Sequence, residues 1–166
     1  MIKRCVLLIT AMIAICIVLL SCANEKTEGI YAFLGEYAYD APLIAMVYED
    51  FEGQGYGIVY RQVKDFSGLV EVADRPVLLY FYTSMHADFA GTTAGIEQIA
   101  EDYHDQIIVL AIDVFAEGHI AEHYDVQVVP EFIILKQSFV FSRFDSAQRE
   151  QWPNEDVRIW VEEKLN

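Results

Sequence analysis

Thiols are scarce in this sequence. Its three cysteines are Cys5, Cys16 and Cys22, and residues 23–166 contain none. That stretch closes no internal disulfide and offers no cysteine nucleophile. Positive charge is scarce as well. Eleven Lys and Arg stand against 26 Asp and Glu, for a net charge of −15. Two of the eleven, Lys3 and Arg4, sit at the extreme N-terminus. By charge, nucleic acid and anionic lipid surfaces are poor partners for such a chain. Its acidity reads first as solubility; an acidic face for a basic partner is the alternative that composition leaves open. A phosphate loop, a nucleophile triad and a nucleotide fingerprint are also missing. No cofactor is expected.

Apolar residues are plentiful. They make up 54% of 166 residues, enough for one domain plus a targeting segment and too many for global disorder. The N-terminus takes a large share. After Lys3 and Arg4, Val6 to Leu20 is apolar except for Thr10. A basic start followed by such a run reads as a secretory signal. It ends in Leu19-Leu20-Ser21-Cys22-Ala23, then turns polar at Asn24-Glu25-Lys26. This ending is similar to a bacterial lipoprotein signal. The resemblance implies cleavage before Cys22 and acylation of that residue. An uncleaved anchor helix is the other reading, since about 20 apolar residues can span a bilayer. Either way the folded part is expected outside the cytoplasmic membrane, lipid-anchored to a bacterial membrane in the first reading.

The expected organisation is a signal peptide over 1–21, a tether over 22–29, a helical extension over 30–57 and a domain over 58–166. In the extension, Ile30, Phe33, Leu34 and Tyr37 fall at i, i+3, i+4, i+7, which predicts a helix. Asp40 and Pro42 suit the start of a second helix, with Leu43, Ile44, Val47 and Phe51 on its apolar face. The Gly53–Gly57 stretch ends it. The aromatics here are expected to pack against the domain; a partner-binding patch is the alternative.

Alternation over Ile58–Val63 predicts a first strand at a sheet margin. Asp65 is placed to cap a helix over Phe66–Ala73. Val77 to Tyr82 is apolar on both faces, as a central strand covered by helices requires. A polar stretch, Thr83 to Phe89, leads into a helical pattern ending near Asp105, weakened by Gly91 and Gly95. Ile107–Asp113 is a second buried strand. His119 and His123, four apart on a short helix, share a face. They are weak metal candidates, because His119-Ile120-Ala121-Glu122-His123 lacks the zinc-protease pattern. Val128-Val129-Pro130-Glu131 follows. A hairpin over Phe132–Leu135 and Phe139–Phe144 turns through Lys136-Gln137-Ser138 without the usual glycine. Asn154 then caps a last helix carrying Val157, Trp160, Val161 and Leu165.

This order of strand, turn, helix, strand, helix and Val-Pro, organised around residues 75–130, resembles the thioredoxin family over roughly two thirds of the chain. The best match is Tyr124-Asp125-Val126-Gln127-Val128-Val129-Pro130. The resemblance implies an α/β fold, a central mixed sheet flanked by helices on both faces. It also implies a cis Val129–Pro130 bond, beside which the family's backbone pairs with an extended peptide. The family's two redox cysteines map to His86 and Phe89, enclosing Ala87 and Asp88. Its buried acid maps to Tyr80, and the lysine partner of that acid to Val109. All four redox positions are lost together, so dithiol exchange is not expected and no catalytic residue is assigned. The expected role is a redox-inactive protein- or peptide-binding module using Met85, His86, Asp88, Val129, Pro130 and Glu131. Its partner would be an envelope protein or extended peptide. Glu131 replaces the family's usual Thr or Ser. The alternatives are an enzyme with non-thiol or metal-dependent chemistry at His86/Asp88, an accessory of a thiol–disulfide pathway, or a structural lipoprotein working through its aromatic N-terminal segment.

Overall fold

The computed structural model describes residues 29–85, 89–145 and 154–166. The signal, Cys22, His86, Ala87, Asp88 and the loop around Trp152-Pro153 lie outside the described residues. Among the described residues no helix is long and apolar enough to cross a membrane.

Among the described residues seven strands form one sheet: β1 (Leu34–Tyr37), β2 (Leu43–Asp50), β3 (Tyr56–Val63), β4 (Val77–Tyr82), β5 (Ile108–Asp113), β6 (Glu131–Lys136) and β7 (Phe139–Arg143). Their order is β1-β3-β2-β5-β4-β6-β7. β4 and β5 run parallel, with Val77 opposite Ile108. The other neighbours are antiparallel. Among the described residues four α-helices pack on the sheet: α1 (Phe66–Val72), α2 (Phe89–Asp102), α3 (Gly118–His123) and α4 (Asn154–Leu165). The fold is therefore the α/β class, with a mixed sheet and helices on both faces.

Alternation along β4 explains its unbroken apolar run. Val77, Leu79 and Phe81 join Leu69 and Val70 of α1 and Ile120 of α3 in one core layer. Leu78 and Tyr80 join Ile96 and Ile99 of α2 and Val157 and Val161 of α4 in the other. A fully buried side chain of this size contributes about 1.5–3 kcal/mol, so a strand buried on both faces anchors both layers.

The helical reading of 30–57 is corrected. Only Ile30–Phe33 is helical, as a short 3-10 turn. Leu34–Tyr37 and Leu43–Asp50 are strands. Leu43 to Val47 are all buried, Leu43, Ala45 and Val47 toward one layer and Ile44 and Met46 toward the other. A short apolar run buried on both sides carries no period that separates strand from helix. The glycine stretch is a hairpin turn joining β2 to β3: Gly55 has φ 113°, and its N–H donates to Asp50 Oδ1 at 2.8 Å. Nor is β3 marginal. It pairs with β1 on one side and β2 on the other.

The Asp65 cap is present. Its carboxylate accepts the Gly68 N–H at 3.0 Å. Gly68 itself is dictated by packing, because a Cβ there would run into the Phe33 ring. Gly95 of α2 is explained the same way. A Cβ would collide with Asn154, whose side-chain amide donates to the Gly91 carbonyl at 2.7 Å. Asn154 thus ties α4 to α2.

Candidate functional site

The parallel pair brings the C-terminal ends of β4 and β5 to one edge of the sheet. β6 begins at that edge, with Glu131 opposite Phe81. Three loops meet there: Thr83–Met85 after β4, Val114–Glu117 after β5, and Asp125–Pro130 before β6. Each exposes a large apolar side chain. Met85 is 74% exposed, Phe115 70% and Val128 50%. Local polar contacts shape the first two loops. The Met85 N–H donates to Thr83 Oγ1 at 3.3 Å, and the Phe115 N–H to Asp113 Oδ1 at 2.9 Å. The Val129–Pro130 bond is cis, as the family resemblance implies.

Of the four positions that the resemblance assigns to redox chemistry, three lie within the described residues. Phe89 opens α2 and stacks on Tyr82, with ring centroids 5.2 Å apart. Tyr80 is almost wholly buried, its hydroxyl 3.3 Å from Thr93 Oγ1. Val109 is equally buried in the same core layer. Here an acid and a lysine would face an aromatic and aliphatic packing environment, which penalises charge. The nearby Tyr82 hydroxyl has its pKa raised, first by burial and then by the Asp113 carboxylate, so it stays protonated at neutral pH. His86, Ala87 and Asp88 are outside the described residues, and no geometry is assigned to them.

Glu131 is not a free groove residue. Its side chain is only 7% exposed and is paired with Arg143 of β7, Nη1 to Oε1, at 2.7 Å. The second guanidinium nitrogen donates to the Tyr124 carbonyl at 2.5 Å. One arginine therefore holds both ends of the loop that carries Val128, Val129 and Pro130. The bidentate fork of arginine suits such a clamp. Glu131 acts as a positioning residue for the loop, where the sequence reading had it facing a ligand.

His119 and His123 line a separate cleft beside α1 and α3. Among the described residues no group of three or more His, Cys, Asp or Glu side chains could hold a metal ion. His119 comes within 3.6 Å of Glu117, and His123 packs edge-on against Tyr124.

Two participants escaped the sequence reading. Phe115 falls outside every element predicted from the sequence. Its signal was a lone aromatic directly after a buried strand, where polar residues are usual. Arg143 lies within the predicted hairpin, and its signal is a cation at the end of a strand that begins Phe139-Val140-Phe141.

Comparison with known proteins bears on the same region. A family model described as Thioredoxin matches residues 57–154, more than half of the chain. The chain is similar to the chloroplastic thioredoxin Y of Oryza sativa subsp. japonica, 30% identical over 82 residues, which are 49% of each chain. It is also similar to thioredoxin-1 of Drosophila melanogaster, 26% identical over 95 residues, covering 57% of this chain and 89% of that one. The chain spans about half the length of the chloroplastic relatives it matches. Among solved structures, the germline-specific thioredoxin Deadhead from Drosophila melanogaster aligns with a TM-score of 0.49 and 22% identity. That alignment covers 54% of this chain and 81% of that one.

Proposed function

As the chain belongs to the thioredoxin family but has no cysteine in residues 23–166, we propose that it is a redox-inactive thioredoxin-fold lipoprotein. It holds a protein or extended peptide at the outer face of a bacterial membrane. The observation that carries this reading is the set of exposed apolar residues, Met85, Phe115 and Val128, on three adjacent loops beside the cis Val129–Pro130 bond. Exposed apolar side chains on neighbouring loops give a partner apolar surface to cover. The backbone beside the proline is where the family pairs with extended peptides, and that pairing needs no thiol. Losing the cysteines removes the covalent step and leaves the non-covalent contacts.

The tether rests on Cys22, which follows directly on the apolar run from Val6 to Leu20 and the small Ser21. A lipid there restricts the module to the membrane surface and raises its effective concentration toward membrane-bound partners. Met85 and the 125–130 loop form the working face, with Arg143 and Glu131 holding the loop in shape. His86 and Asp88 belong to the same stretch of sequence.

The proposal is tested by assaying purified protein for reduction of a protein disulfide substrate in the presence of a chemical reductant. The expected rate equals that of the reductant alone. Catalytic turnover above that background overturns the redox-inactive reading.

A further inference from the structure

A second surface lies away from the loops around Pro130. Between α1, α3 and the tip of the β6–β7 hairpin runs an open cleft of about 920 Å³. That is near the upper end of the range, about 300–1,000 Å³, typical of sites that bury a small molecule or a few side chains. Its floor is apolar: Leu43, Val70 and Ile120 are buried core residues that reach the cleft from β2, α1 and α3. At the hairpin end stands Phe139, 76% exposed. Among the described residues, its rim carries the carboxylates of Asp65, Glu71 and Glu117 against the cation of Lys64. The hairpin tip is fixed in place, since Ser138 Oγ donates to the Val70 carbonyl at 3.3 Å.

We infer that this cleft docks a cationic segment of a partner protein, an apolar or aromatic residue flanked by Lys or Arg. The apolar residue fills the floor beside Phe139, and its basic neighbours meet the carboxylates of the rim. Charge complementarity selects this occupant. The rim is net negative, and it sits on a chain of net charge −15, which attracts cations to the surface and repels acidic segments. His119 and His123 then serve as polar walls of the docking cleft. The inference is independent of the surface around Pro130, and its test separates the two.

The probe is a fluorescent peptide of alternating Lys and Phe, compared with its Glu-for-Lys counterpart, by anisotropy at about 0.15 M salt. Three variants carry the test. E71K/E117K reverses the rim. E101K/E163K makes the same charge change at exposed sites on α2 and α4, on the opposite face. S67W fills the cleft without altering charge. The expected result is binding of the Lys peptide only, weakened about tenfold or more by E71K/E117K and by S67W, and about twofold or less by E101K/E163K. V128D, at the other surface, leaves it unchanged. Equal losses from the two charge-reversal variants would reveal unspecific attraction to an acidic protein and overturn the inference. Undiminished binding to S67W, or equal binding of the Glu peptide, overturns it as well.

Discussion

Replacing Arg143 by methionine is expected to cost about 2–4 kcal/mol of stability. The cause is what it leaves behind. The Glu131 side chain is 7% exposed and its partner 37%, so removing the guanidinium strands a nearly buried carboxylate. Removing one member of a fully buried pair costs about 3–5 kcal/mol; the half-open arginine site admits some water, which brings the figure down. The Tyr124 carbonyl also loses its donor, at about 1 kcal/mol. Adding Glu131→Leu removes the stranded charge, and the double variant should lie only about 1 kcal/mol below the native protein. Urea unfolding curves with unchanged slope measure both. A double variant no more stable than Arg143→Met alone would mean that the pair is not what holds this corner. Amide exchange at Asp125–Val129 gives a local readout. It should rise in Arg143→Met by more than the loss of global stability explains, because the arginine ties both ends of that loop.

Phe132→Ala should be more damaging, at about 3–5 kcal/mol. Phe132 is fully buried near the start of β6, opposite Tyr80 of β4. Its ring stacks on Tyr80 at 5.3 Å with planes 9° apart, and Phe144 meets it edge-on at 6.0 Å. Truncation opens a cavity that these rigid rings are poorly able to fill. Against a total stability of about 5–15 kcal/mol, that is a large fraction, and the melting temperature should fall on the order of 10 °C. Phe139→Ala is the matched control: the same substitution two strands from β4, on an exposed ring, should stay within about 0.5 kcal/mol. Similar losses at the two positions would contradict the burial assigned to β6 and β7.

The parts of the fold that were legible in the sequence are those whose pattern is local. Asp65 before an apolar run marked α1. The unbroken runs Val77–Tyr82 and Ile107–Asp113 marked strands covered on both faces. Val157, Trp160 and Val161 marked the buried stripe of α4. Leu43–Asp50 was not legible, because what makes it a strand is distant. Its partner on one side is β5, with Leu43 opposite Ile112, and no local period announces a strand inserted there. The stripe Ile30, Phe33, Leu34, Tyr37 fitted a helix by coincidence. The chain leaves the 3-10 turn after Phe33, and Leu34 goes into the sheet opposite Val63. At the candidate site, Pro130 and its neighbours were visible as a motif, whereas the ion pair beneath them was not. Glu131 and Arg143 meet only once the hairpin register, Ile133 opposite Arg143, is known. The hairpin turn itself shows why a missing glycine was no obstacle: Gln137 and Ser138 adopt the positive φ angles, 52° and 67°, that a two-residue turn demands.

A partner held at the loops around Pro130 can be trapped where it sits. The measurement that tests this most directly places a photo-crosslinking amino acid at Val128 in cells making the full chain. Parallel strains carry it at Ser67, in the cleft, and at Glu163, on the opposite face. The expected result is a discrete protein or peptide adduct from Val128 that is absent from Glu163. An adduct common to all three positions, or none from Val128, would contradict it.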